Sequence, residues 1–188
     1  MLPGAAMRWP ETALRRRALL LAAATGLLTS SPARGQATTE AHVKARMAFN
    51  LARFTQWPAQ AFAEAAAPQL WCTAVRDGAL AGALAALGGE TVGGRPIRLQ
   101  PYSPSAASGC HVFYVDAEME RESSALLAAA ANLPVLTIGD GEAFSRRGIV
   151  GLVNVNDAIR FDINLSRMRA AQLNISSQVL KLARRVHE

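Results

Sequence analysis

The chain has 188 residues, 51% of them apolar, with 20 basic against 14 acidic residues and a formal charge of +6. The excess is concentrated at the start, where Arg8, Arg15, Arg16, Arg17 and Arg34 stand with a single acid, Glu11, inside residues 1–35. Without that segment 15 basic face 13 acidic residues, a net of +2, which gives no case for the phosphate-neutralising surface of a nucleic-acid binder.

The three arginines 15–17 precede an apolar run from Ala18 to Leu28, and small residues follow at Ala33, Gly35 and Ala37. A basic start, a short apolar core and small residues at the end are the parts of an export signal. The run is shorter than the roughly 20 residues a membrane-crossing helix needs. Residues 1–35 are therefore expected to be a signal peptide cut after Gly35, or alternatively after Ala37. Arg16-Arg17 ahead of Ala18-Leu19-Leu20 fits a twin-arginine signal loosely, so both export routes stay open. An uncleaved anchor is the competing reading, and the small residues argue against it. Residues 36–188 suit one domain with a sizeable core.

Along that domain, Val43, Met47, Leu51, Phe54 and Trp57 recur at helical spacing and predict a helix from Glu40 to Trp57, with Thr38 or Thr39 as N-cap and Pro58 ending it. Gln69 to Val75 reads as a strand, Ala79 to Leu87 as a small-residue helix stopped by Gly88-Gly89, and Ile97 to Tyr102 as a second strand after a glycine turn. The loop SPSAASG leads to a third strand, Cys110 to Val115. A helix over Glu118–Ala131 and a strand over Leu133–Ile138 come next, followed by a turn at Gly139-Asp140-Gly141.

Ile149–Val155 and Ala158–Leu165 form a hairpin, because Asn156-Asp157 tolerate the left-handed backbone of a tight turn. In its second strand Ile159, Phe161, Ile163 and Leu165 alternate with Arg160, Asp162 and Asn164, which predicts a solvated polar face. Ser166 to His187 reads as a helix, broken near Asn174, with Ile175, Val179, Leu182 and Val186 on one face. Strands alternating with helices give an α/β three-layer sandwich. Its sheet is mostly parallel, of about six strands, with one antiparallel strand from the hairpin and helices on both faces.

No set of residues assembles a reaction centre. Of the three histidines, His42 and His187 lie near the ends of the exported part, and His111 adjoins Cys110. Neighbours on a strand point to opposite faces, so Cys110 and His111 do not make a thiolate–imidazole pair. Cys72, Cys110 and His111 lack zinc-site spacing, and Gly139-Asp140-Gly141 lacks the rest of a phosphate cradle. Neither a metal nor a cofactor is expected, and the chain is read as a non-enzyme. Two cysteines in an exported domain predict one disulfide, Cys72–Cys110, worth roughly 4 kcal/mol at most by chain entropy. Trp57 and the basic pair Arg146-Arg147 are the candidates for touching a partner protein.

The order of these pieces resembles the YfiR family (YfiR/HmsC-like). The segments that carry the likeness are VKARMAFNLARFTQWPAQAF, GGRPIRL, GCHVFYV, PVLTIGDGEAFSRRGIVGLVNVNDAIRFDINL and RAAQLNISSQVLKLAR, spread from about Glu40 to Val186. The resemblance implies a periplasmic, non-enzymatic domain, often a homodimer, that represses an inner-membrane diguanylate cyclase through its periplasmic region. In such systems an OmpA-like outer-membrane lipoprotein sequesters the repressor, and cyclic di-GMP and biofilm growth then rise. Cys72 and Cys110 match a cysteine pair of the family. A second family pair, around the segment FSRRGIVGLVN, has no counterpart here, so redox control through it is not expected. The alternative is a periplasmic small-ligand sensor, with a site at the strand ends near Arg76, Asp116 and Gly139. A thiol-dependent enzyme ranks last.

Overall fold

The structure, a computed structural model, describes residues 33–103 and 109–188. Most of the expected signal peptide and the centre of the SPSAASG loop lie outside the described residues. The chain runs through α1 (Ala33–Arg53), β1 (Thr55–Gln56), a 3-10 turn (Ala59–Ala61), β2 (Gln69–Ala74) and α2 (Gly78–Ala85). It continues with β3 (Thr91–Val92), β4 (Arg95–Pro101), β5 (Val112–Val115), α3 (Ser124–Ala130) and β6 (Leu136–Asp140). The last part comprises α4 (Phe144–Arg147), β7 (Val150–Val155), β8 (Ala158–Asn164), α5 (Leu165–Ala170), β9 (Asn174–Ile175), α6 (Ser177–Leu182) and β10 (Arg185–His187).

Eight strands form one sheet in the order β10-β8-β7-β6-β5-β2-β4-β3, and β1 pairs with β9 in a separate two-stranded ribbon. From β4 through β2, β5 and β6 to β7 every neighbour is parallel. The hairpin makes β8 antiparallel to β7, and Asn156 and Asp157 take the positive φ values, 51° and 60°, that its two-residue turn demands. The expected α/β fold with a mostly parallel sheet is therefore present. It is wider than the expected six strands because β3 adds an antiparallel edge beside β4 and β10 adds one parallel to β8.

Alternation along single strands builds the layers. Trp71, Val112 and Tyr114 pack with α1 and α2 in one apolar cluster, while their neighbours Cys72, Phe113 and Val115 pack with α3 and Phe144 of α4 in another. All four residues of β5 are buried, as a parallel strand covered on both sides must be. The sheet approaches α4 closely enough that a Cβ on Gly139 or on Gly148 would stand 2.3 Å from the Phe144 ring. That contact requires glycine at both positions.

Four local expectations are corrected. α1 starts at Ala33, ahead of Thr38 and Thr39, and ends at Arg53, because Thr55 and Gln56 pair with Ile175 and Asn174. α3 is confined to Ser124–Ala130, since Asp116 Oδ1 accepts from Met119 N (2.8 Å) and Ser123 Oγ donates to Met119 O (2.6 Å), holding residues 118–123 in turns. β6 sits later than expected and takes in Gly139 and Asp140, which pair with Gly151 and Leu152.

The C-terminal helix is the largest correction. It breaks into α5, β9, α6 and β10, and the reason is the polar side of β8. Asp162 is wholly buried rather than solvated, and the Arg184 guanidinium binds it. Asn164 accepts from Arg167 N to cap α5 and donates to Ser145 O. Pairing Arg184 N with Phe161 O (2.8 Å) pulls the chain into the extended form that becomes β10.

Candidate docking surface

α1 has two apolar faces. Ala41, Ala45, Ala48 and Ala52 recur at helical spacing with Phe49 and lie against the sheet, at most 4% exposed. Their small size lets the helix backbone sit close to the strands. The second face is the stripe Val43, Met47, Leu51 and Phe54, part of the series whose spacing predicted the helix. It lines a groove of about 660 Å³ in which Leu51 is buried, Phe161 of β8 forms the floor and Val179 and Leu182 of α6 form the far wall. Val43 is 41%, Phe54 47% and Leu182 72% exposed, unlike the large apolar side chains of the core.

The groove is flanked by two guanidinium groups, with an imidazole beside them. His42, Arg46 and Arg53 line it and no carboxylate does. Arg46 binds Glu90 (2.6 Å) and lies over the Phe49 ring at 4.5 Å, and Arg53 lies over the same ring at 5.7 Å. An apolar trough between two helices with a basic border is shaped for an amphipathic helix that brings an apolar ridge and acidic flanks.

The strand ends that a ligand sensor would use are filled by the protein itself. Asp116 Oδ2 accepts from Arg76 N (2.5 Å) and Asp77 N (3.2 Å), tying two of those loops together. At the third, Asp140 accepts from Lys44 Nζ and from the Tyr114 hydroxyl, each at 3.0 Å, and Lys44 also binds Glu40 at 2.9 Å. Burial pushes the Asp140 carboxyl above its usual range, with Lys44 opposing the shift. Burial also drives the Tyr114 phenol well above its ordinary value, helped by the Asp140 charge. This cluster fastens α1 to β5 and β6.

Cys72 of β2 and Cys110, two residues before β5, are joined by a disulfide with a Cα–Cα distance of 5.8 Å, and Gln100 Nε2 donates to Cys72 Sγ at 3.2 Å. His111 points away from that bond and stacks on Phe62. Trp57 is half-buried; its ring meets Phe62 edge-on at 6.5 Å and Nε1 donates to His111 O at 3.3 Å. Arg146 is exposed on α4, and Arg147 beside it pairs with Glu120. None of these three partner candidates lines the groove.

Sequence reasoning missed Phe54 and Leu182 as surface groups. The available signal was that α1 carries two apolar series, one more than a helix on a single sheet can bury. Among the described residues, no group of three His, Cys, Asp or Glu could hold a metal, and no helix is long and apolar enough to cross a membrane.

A family model described as YfiR/HmsC-like matches residues 41–184. No curated protein matches. Among solved structures, the chain is similar to the ABC domain in complex with L-Trp from Streptococcus pneumoniae, with 9% identity, a TM-score of 0.50, and 78% of this chain and 60% of that one covered. It is also similar to a conserved domain protein from Vibrio cholerae O1 biovar eltor, with 12% identity, a TM-score of 0.49, and 63% and 54% covered. The chain thus spans between half and two thirds of the length of either, and the likeness to the first is one of fold alone.

Proposed function

The chain belongs to the YfiR/HmsC-like family, and from that premise we propose that it is an exported periplasmic regulator that docks on an inner-membrane diguanylate cyclase and represses it, lowering cyclic di-GMP and biofilm growth. The observation that carries this reading is the groove between α1 and α6, where Phe54 and Leu182 are held exposed above an apolar floor. Exposed apolar patches of this kind in a soluble domain serve interaction rather than packing.

The occupant is a helix from the periplasmic region of the cyclase, apolar on the side facing Phe54, Phe161 and Leu182 and acidic where it passes Arg46 and Arg53. Seating it holds the cyclase in an inactive arrangement, so the effect is a shift of the cyclase population and involves no reaction at this chain. An OmpA-like outer-membrane lipoprotein relieves repression by sequestering the repressor. Trp57, Arg146 and Arg147, away from the groove, are left for that second contact or for a homodimer.

The test is cross-linked capture of the tagged protein from cells, comparing the wild type with Phe54→Ser and Leu182→Ser. The wild type is expected to recover a membrane protein with a cyclase domain. The two variants, altered only at exposed positions, are expected to keep the wild-type melting temperature, lose the partner and raise cyclic di-GMP. Variants that repress as the wild type does would overturn the assignment of the groove.

A further inference from the structure

His111 is buried, 8% exposed, and both its ring nitrogens are committed. Leu70 N donates to Nδ1 at 3.0 Å. Nε2 stands 2.9 Å from Ala61 O, and since a carbonyl only accepts, Nε2 carries the proton. The ring is therefore the neutral Nε2–H form, bonded on one side to β2 and on the other to the 3-10 turn.

Phe62 lies flat on this ring, with centroids 4.3 Å apart and planes 11° apart. The Arg95 guanidinium sits 3.7 Å from the centroid of Phe62. Two groups that close cannot share one face of a phenyl ring, so Phe62 is clasped between His111 and Arg95. Arg95 also donates to Glu64 O (2.9 Å) and Ala67 O (2.8 Å), and Trp57 Nε1 reaches His111 O. The irregular segment from Pro58 to Pro68 is thus held to the sheet largely through one histidine and one arginine.

We propose that His111 is an acid-sensitive latch for this segment: a second proton on the ring releases residues 58–68 while the strands behind them stay in place. The proton can only enter at Nδ1, where it would confront the Leu70 N–H and abolish that hydrogen bond. The imidazolium would also be charged, buried and separated from Arg95 by a single phenyl ring. Among the described residues, Arg95 of β4 is the charged group acting on the ring; Leu70 of β2 and Ala61 of the 3-10 turn present main-chain groups to it, β6 meets only the main chain of His111, and Glu64 offers its carbonyl to Arg95. Burial first, and then Arg95, pull the His111 pKa below its ordinary 6.5, against the opposing bond to Ala61. A group with a depressed folded pKa stabilises the closed form above its unfolded value, and that contribution disappears as pH falls through the folded one. The Cys72–Cys110 bond, one residue from the latch, holds β2 to the start of β5 throughout. This inference is independent of which partner the groove takes.

The test is an NMR titration of the exported, oxidised protein from pH 8 to pH 5. It follows the His111 ring, the Trp57 indole N–H and the amides of residues 58–68. His111 is expected to titrate below 6.5, with the Trp57 indole, the 58–68 amides and the Leu70 amide, whose bond to Nδ1 is lost, moving at the same midpoint and the other β2 and β5 amides unmoved. In Phe62→Leu, which removes the stack, the midpoint is expected to rise toward 6.5. A segment whose signals ignore the His111 titration, or a His111 midpoint at or above 6.5 in the wild type, overturns the proposal.

Discussion

Arg184 grips Asp162 at two points, Nε to Oδ1 at 2.9 Å and a terminal nitrogen to Oδ2 at 2.5 Å, around a carboxylate with no solvent exposure. Removing the guanidinium would strand a buried charge, which costs far more than losing an exposed pair. Arg184→Ala is expected to lower Tm by roughly 5 °C or more, whereas Arg185→Ala, whose partner Glu142 is a surface residue, should change it little. Replacing both members, Asp162→Leu with Arg184→Met, should recover part of the loss. Thermal denaturation of the four proteins checks the order.

Tyr114 carries a prediction about alkaline pH. Its hydroxyl donates to Asp140 in the interior, and burial holds the phenol well above its usual value near 10. The folded protein keeps that proton where the unfolded chain releases it, so stability is full below pH 10 and falls as pH rises. Lys44, which burial opposes but bonds to Glu40 and Asp140 hold above its usual value, adds a decline of the same sign. Tyr114→Phe is therefore expected to be less stable at neutral pH, with a shallower but still present loss above pH 10. Urea denaturation at stepped pH separates the two contributions, and parallel curves for variant and wild type would refute the role given to Tyr114.

Phe144 and Gly139 predict an asymmetric rescue. The ring fills the space where a Cβ would stand, so Gly139→Ala forces it aside at a cost of about 1–3 kcal/mol, as overpacking usually does. Phe144→Leu opens a cavity by itself but should restore part of the stability of Gly139→Ala when combined with it. A double-mutant cycle in denaturant measures the coupling, and simple additivity would show that the ring does not set the requirement for glycine.

The sequence made the parallel sheet and the Asn156-Asp157 hairpin legible because both rest on local signals, apolar alternation and turn chemistry. It misled at Asp162 and at the chain from Ser166 onward for one shared reason. Alternation says that a polar residue leaves the apolar face, but not that a later strand with an arginine will cover it. The groove was hidden by the same limit. Val43, Met47, Leu51 and Phe54 share one helical spacing, yet Leu51 is buried while Val43 and Phe54 stand exposed, because Ala41, Ala45, Ala48 and Ala52 occupy the face that fits closest to the sheet. His111 was singled out for its cysteine neighbour, yet its partners are Phe62, Ala61 and Leu70, a contact between segments that spacing cannot reveal.

The two walls of the groove come from α1 and α6, nearly the whole domain apart in sequence, with the floor residue Phe161 between them. During synthesis α1 is made early and α6 late, so the trough exists only after the sheet has closed and Arg184 has found Asp162. A nascent or clipped chain presents the sticky stripe of α1 but not a seat for a helix. Docking competence is consequently a certificate of completed folding, and a target that recognises both walls responds to finished molecules alone.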